Sequence, residues 1–351
     1  MVSRTALILA SALACTAPSF AQRNPSPTQT PPAQPASSQI DLDVVVRPKS
    51  GPPVAGLQQQ DFTVLDNKVP QHITSFHAVS GGVQTVHVLL VIDAVNAFYQ
   101  TIAYERDQID RLLHANGGHL AQPMALAFFT DTGIQVQRAF SNDGNELATA
   151  MDQYAVALRT IHRSSQWQAN DRFQLSVNAL QTLAAQQADL PGRKVVLWVS
   201  PGWPLLSGPG IELDAKQQNQ IFATIVGLSN QLRQARVTLY AVDPLGASEG
   251  VGRTFYYQDF LKGVSKPGQV MLGDLSLQVL AVQSGGLALS SSNDVATLLQ
   301  QCIADTEAYY ELSFDTPAAD RRDEYHSLEV KVAKPGLSAR TRTGYYAQPD
   351  R

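Results

Sequence analysis

Three short runs of this 351-residue sequence are apolar almost from end to end: Val86–Ile92, Val195–Val199 and Val237–Val242. A strand with one face in water alternates apolar and polar residues, so runs like these predict strands covered on both faces. Segments with helical patterning lie between and after them: Tyr99–His114, Gly144–Arg159, Asp171–Gln187, Ala215–Arg233 and Leu275–Gln283, the last ended by Gly285-Gly286. Met124–Phe129 and Gly133–Phe140 add a strand pair around the turn Thr130-Asp131-Thr132-Gly133, and Leu287–Ser290 and Asp294–Tyr309 read as a last strand and a last helix. Buried strands alternating with helices predict an α/β fold with a doubly wound, mostly parallel sheet over residues 84–308. In that architecture ligands sit at the carboxyl ends of the strands. Those ends carry Asp93, Thr130, Asp131, Ser200 and Asp243, which form the candidate ligand face.

The flanks follow a period of two. Ile40, Leu42, Val44 and Val46 alternate up to the turn Ser50-Gly51-Pro52-Pro53; Phe62–Leu65 ends at Asp66-Asn67; Ile73–Val79 is a third run. Tyr309–Phe314, Tyr325–Ala333 and Leu337–Ala347, the last two joined by Lys334-Pro335-Gly336, form a matching block at the other end. Three short antiparallel strands cannot bury a face by themselves. Residues 40–83 and 309–347 are therefore expected to pair into one small β-sandwich, with 84–308 inserted.

Ahead of this stand Arg4, an apolar segment Ala6–Ala14 and the small-x-small triplet Ser19-Phe20-Ala21, which predict a signal peptide over 1–21. Residues 22–39, with Pro25, Pro27, Pro31, Pro32 and Pro35 among polar residues, read as a linker. A secreted or periplasmic protein is expected; lipid attachment at Cys15, after Ala12-Leu13-Ala14, is the second reading. No later apolar run reaches the ~18 residues of a membrane span. A net charge of −4 and a pI near 6.0 supply no basic face for nucleic acid. Of the 2 cysteines, loss of 1–21 leaves Cys302, so neither a disulfide nor a thiolate zinc site is expected.

Several motifs, in order, carry a resemblance. Gly51-Pro52-Pro53-Val54, Asp61-Phe62-Thr63-Val64 and Ser75-Phe76 open it. Arg172-Phe173-Gln174-Leu175, Asn178-Ala179-Leu180, Pro191-Gly192-Arg193-Lys194, Tyr240-Ala241-Val242-Asp243 and Gln283-Ser284-Gly285-Gly286 continue it. Tyr309-Tyr310-Glu311-Leu312, Tyr325-His326, Lys334-Pro335-Gly336-Leu337 and Gly344-Tyr345-Tyr346 close it. Together they resemble the VWFA-related variant, found in acidobacterial genomes, of the von Willebrand factor type A domain. The resemblance implies a divalent-metal site built from Asp-x-Ser-x-Ser after the first strand, a Thr before a later helix and a Thr-Asp-Gly turn. Here those places hold Asp93-Ala94-Val95-Asn96-Ala97, Gln174 and Ser200-Pro201-Gly202. Val95, Ala97 and Pro201 cannot coordinate, so a degenerate site at Asp93, Asn96 and Ser200 is expected, with no cofactor; Mg²⁺ is the alternative.

Other chemistry is weaker. Ser200 follows a strand and precedes Asp243 and His326 in Ser-Asp-His order, but Trp198 replaces the first glycine of a nucleophile elbow and Pro201 lacks the oxyanion-hole N–H. His72 and His77, five apart in a strand, point to opposite faces. His114 and His119 straddle Asn116-Gly117-Gly118 and read as solvated. Gly246–Gly252 lacks the Lys of a phosphate loop. Phe255-Tyr256-Tyr257 and Phe260 lie in a long loop and suit either a partner contact or packing onto the domain. The expectation is a non-enzymatic module that binds an unidentified protein. A metal-dependent adhesion domain is the alternative, and a serine hydrolase at Ser200 stands behind both.

Overall fold

The computed structural model describes residues 39–82, 84–97, 99–137, 139–159, 169–204, 212–245, 256–316 and 319–349. The segments expected to be a signal peptide and a linker, up to residue 38 and including Cys15, the Gly246–Gly252 stretch and Phe255 lie outside the described residues.

In chain order the strands are β1 (Gln39–Pro48), β2 (Phe62–Asp66), β3 (Val69–Gln71), β4 (Ile73–Ser80), β5 (His87–Asp93), β6 (His119–Thr130), β7 (Gly133–Val136) and β8 (Ser141–Asp143). They continue with β9 (Lys194–Val199), β10 (Val237–Val242), β11 (Ala288–Leu289), β12 (Ala308–Asp315), β13 (Glu324–Val332), β14 (Leu337–Arg340) and β15 (Gly344–Ala347). The helices are α1 (Tyr99–His114), α2 (Gly144–Arg159), α3 (Ala169–Ala188), α4 (Ala215–Gln234), α5 (Leu277–Gln283) and α6 (Val295–Ala304).

The apolar runs form the centre of a mixed α/β structure. The central sheet has the order β11-β10-β9-β5-β6-β7, with β8 also paired to β6. β5 through β6 and β9 through β11 run parallel, and β7 and β8 are antiparallel at the edge. Both faces are covered. Leu89, Val91, Val196, Trp198, Leu239 and Ala241 pack on Val177, Leu180 and Leu183 of α3, Ile225 and Leu228 of α4, and Leu277 and Leu280 of α5. The alternate residues, Leu90, Ile92, Leu197, Val199, Tyr240 and Val242, pack on Ile109 and Leu113 of α1, Leu147 and Met151 of α2, and Leu298, Leu299 and Cys302 of α6. The chain leaves β5 in one direction and returns to β9 on its other side, so the strand order reverses between β5 and β9. Among the described residues no helix is long and apolar enough to cross a membrane.

The flanking segments form two four-stranded antiparallel sheets, β14-β1-β12-β4 and β15-β13-β2-β3, and each takes strands from both ends of the chain. Leu42 faces Leu312 and Val44 faces Tyr310 across β1 and β12, while Val64 faces Val330 across β2 and β13. Residues of both sheets, among them Leu42, Val44, Phe62, Val64, Leu312, Phe314, Leu328 and Val330, share one apolar cluster. Ser38–Arg351 is a single compact unit.

Among the expected elements that differ, three have a physical cause in the packing, while the strand expected over Gly133–Phe140 ends at Val136 and the helix expected from Leu275 begins at Leu277. The last helix stops at Ala304 rather than Tyr309 because Asp305 is held by Arg47 (2.7 Å), Tyr240 (2.6 Å) and Arg340, and Ala308 onward joins β1 and β4. Leu337–Ala347 is two strands, not one. β14 pairs with β1 and β15 with β13, and the link between them is tied down by Thr343 N–H to the Gln283 carbonyl (3.2 Å). β6 begins at His119, five residues early, and its pairing with β8 slips across Pro123, which has no N–H to donate.

Candidate functional site

Asp93 ends β5 at the point where the strand order reverses, and its side chain is fully buried. Its two oxygens are occupied by protein donors. Oδ1 accepts from the N–H of Val95 (3.0 Å) and Asn96 (2.9 Å); Oδ2 accepts from Asn96 Nδ2 (2.9 Å) and Trp198 Nε1 (3.1 Å). Burial raises the carboxyl pKa, and hydrogen bonds from Asn96, Trp198 and Ser200 offset part of that rise. Asp93 thus closes the turn 94–97.

Asn96 links this turn to α3 through Nδ2 and Ser176 Oγ (3.0 Å), and Ser176 Oγ in turn donates to the Arg172 carbonyl (2.8 Å). The resemblance had named Gln174 as the residue at the Thr position before a later helix. Gln174 is exposed and bonds Asn178 (3.1 Å) instead. Ser200 follows β9, its N–H bonds the Val242 carbonyl (2.9 Å), and its Oγ accepts from Gly202 N–H (3.1 Å).

Two further strand ends flank this centre: Phe129 of β6 pairs with Asp93 and Val242 of β10 with Val199, which sets Thr130 beside Asp93 and Asp243 beside Ser200. Thr130 and Asp131 form the β6–β7 turn, where Thr130 Oγ1 bonds Thr132 Oγ1 (2.9 Å) and Asp131 is exposed. Asp243 is buried after β10 and accepts from Leu245 N–H (2.9 Å). His326 lies in β13, where its Nδ1 contacts Asp66 (2.9 Å) and Tyr345 donates to Asp66 (2.7 Å). The Ser-Asp-His order therefore does not converge on Ser200.

Glu105 of α1 is buried, and neither carboxylate oxygen has a partner. Burial, then the charges of Asp93 and Asp243, push its pKa well above the ordinary value. The donor set does not fit a divalent cation. Both Asp93 oxygens are bonded, Ser200 Oγ accepts from the backbone, Val95, Ala97 and Pro201 bring no ligand, and among the described residues no three acidic, His or Cys side chains converge on a metal position.

Beside Asn96 a cleft of about 270 Å³ opens, lined by Asn96, Arg172, Trp203, Tyr256, Tyr257 and Gln278, with Pro201 and Gly202 on its wall. Trp203 is wedged edge-on between Trp198 (6.1 Å) and Phe173 (6.3 Å). Gly202 has φ +100°, a backbone conformation that residues with a side chain rarely adopt, so the wall favours glycine. Of the aromatic loop residues, Tyr256 and Tyr257 line the cleft, while Phe260 packs over Gly273. Among the described residues, four buried polar atoms of the lining have no partner: Asn96 Oδ1, Arg172 Nε, Trp203 Nε1 and the Tyr256 hydroxyl.

Sequence reasoning missed Trp198, Ser176 and Trp203. The signal for Trp198 was present: an indole N–H inside a fully apolar strand has to find an acceptor, and the neighbouring strand ends in Asp93.

The chain matches no protein-family model and no curated protein. Among solved structures it is similar to proximal thread matrix protein 1 from the mussel byssus, at 10% identity and TM-score 0.37 over 69% of this chain and 51% of that one. This chain thus spans about half the length of the mussel protein. It is also similar to the manganese-loaded TRAP protein of Plasmodium vivax, at 9% identity and TM-score 0.34 over 79% and 98% of the two chains. A third likeness is the PilB minor pilin of Streptococcus sanguinis, at 10% identity and TM-score 0.33 over 63% and 62%.

Proposed function

We propose that this chain is an exported, non-enzymatic protein-interaction module. In this reading a von Willebrand factor type A-like domain with a degenerate metal site is inserted in a β-sandwich made by the two chain ends. One observation carries it: at the switch point between β5 and β9, protein donors occupy Asp93, while a cleft lined by aromatic side chains and an arginine opens next to it. Aromatic and Arg side chains are the usual anchors of protein interfaces.

Two measurements test this. Millimolar Mg²⁺ or Ca²⁺ is expected to leave the melting temperature unchanged, whereas a site loaded at a hundred times its Kd would add about 2.7 kcal/mol. A shift that disappears in Asp93→Ala would restore the metal-dependent adhesion reading. A partner captured from cell-envelope extract is expected to stay bound in EDTA and to be lost with Tyr257→Ser. Ester hydrolysis abolished by Ser200→Ala would replace the reading with an enzymatic one.

A further inference from the structure

The cleft is incomplete in a specific chemical sense. Arg172 sits in the first turn of α3, where the helix dipole disfavours a cation. It makes no ion pair among the described residues, and its buried Nε has no acceptor. Trp203 is 4% exposed, and its indole N–H has no acceptor either. Two residues that line a single cleft therefore each carry a buried N–H donor without a partner among the described residues, one of them cationic, and each is costly to leave unmade. Asn96 Oδ1 supplies the opposite need. Its amide nitrogen is committed to Asp93 and Ser176, so the oxygen is an acceptor without a donor.

A ligand that completes this set offers an anionic pair of acceptor oxygens to Arg172 and Trp203, and an N–H to Asn96. We infer that the cleft binds an acidic side chain of a polypeptide partner directly, with Arg172 and Trp203 holding its carboxylate, Asn96 Oδ1 accepting a backbone N–H of the same segment, and no bridging cation. A guanidinium suits a planar carboxylate because its N–H groups form a fixed fork. The rings of Tyr256 and Tyr257 exclude water from that contact and strengthen it. Asp93 does not compete for Arg172, since its own oxygens are already bonded to Asn96, Val95 and Trp198. This inference rests on the protein-interaction reading above and names the chemistry of its ligand.

The test follows the Trp203 indole N–H by NMR on the full-length protein in EDTA, with the resonance assigned by Trp203→Phe. The probes are N-acetyl-aspartate amide, N-acetyl-glutamate amide and N-acetyl-asparagine amide. At least one of the acidic probes is expected to move the resonance saturably, at least tenfold more tightly than the asparagine probe. Arg172→Gln is expected to abolish the response, and Arg172→Lys, which keeps the charge but loses the fork, to weaken it. Equal responses to acidic and amide probes would overturn the inference, as would a response unchanged in Arg172→Gln. Because the probe comparison uses the unmodified protein, it does not depend on either variant folding. A response that appears only with added Mg²⁺ would overturn both this inference and the metal-free reading. No response from any probe, with the partner still captured in EDTA, would overturn this inference alone.

Discussion

Asp305 and Asp93 are both buried acidic groups beside the central sheet, and the protein treats them in opposite ways. Asp305 lies near the amino-terminal ends of the strands, where the Arg193 guanidinium donates to its carbonyl (2.9 Å). Its carboxylate receives Arg47 (2.7 Å), Arg340 and the Tyr240 hydroxyl (2.6 Å). Burial alone would raise its pKa, but Arg340, Tyr240 and Arg47 together hold it below the ordinary value. Asp93, at the carboxyl end, is bonded only by neutral donors and its pKa is raised. Glu105, close by, has no donor and is raised further. One end of the sheet is thus clamped by ion pairs that reach from β1 and β14 to the end of α6. The other end holds acidic groups without cations, beside a cleft whose arginine lacks an anion. Charge is internally balanced where the structure is joined together and left open where a ligand site is proposed.

The largest effect expected from this contrast is at Arg340. Arg340→Met leaves a fully buried Asp305 with one cation fewer, and breaking such a pair costs about 3–5 kcal/mol. Urea denaturation at pH 7 measures this; a loss below 1 kcal/mol would mean that the two ends are not held differently. Next is Trp198→Phe, which keeps an apolar ring but removes a donor to Asp93 and should cost about 2 kcal/mol. Trp203→Phe, whose indole N–H has no partner, is expected to cost less, and equal losses would remove the hydrogen bond from the explanation.

The smallest effect concerns pH. Folded Glu105 keeps its proton above the ordinary 4.5, while the unfolded chain releases it. The folded state then binds more protons, so this group's contribution to stability falls as pH rises from about 4.5 towards the folded pKa. Glu105→Gln is expected to flatten the melting-temperature profile over that range and to be relatively most stabilising at its alkaline end. Parallel profiles for the two proteins would show that Glu105 is ionised in the fold.

Much of this was legible. Val237–Val242 is a strand with the bounds read from its apolar run, and Tyr99–His114 and Gly144–Arg159 are helices with the bounds read from their period. The strand-end rule brought Asp93 and Ser200 to one place, because adjacent parallel strands end side by side. It also proposed Thr130, Asp131 and Asp243: Thr130 and Asp243 flank that place on the adjoining strands β6 and β10, while Asp131 is exposed in the β6–β7 turn. The contact of α3 with the turn after β5 falls to Ser176 and not to Gln174, because the rotation of a helix against its neighbours is set by packing rather than by local pattern. The break between β14 and β15 was hidden for a related reason: both halves carry strand-like residues, and which sheet each joins depends on partners some 290 positions earlier for β14 and about 19 earlier for β15.

The sequence by itself determined the alternation of buried strands and helices, the pairing tendency of both ends and the non-coordinating side chains of Val95, Ala97 and Pro201 beside Asp93 and Ser200. Each of these is local, written in the period and identity of neighbouring residues. Only the tertiary structure decided that Trp198 would donate to Asp93, that Asp305 would collect cations from β1 and β14, and that Arg172 and Trp203 would border one cleft with their donors unpaired. Those facts depend on contacts between segments 105 residues apart for the first and 258 and 35 apart for the second, and on the rotation of α3 against the turn after β9 for the third. Local pattern carries no record of either, because packing and hydrogen-bond satisfaction are settled only when the whole core closes.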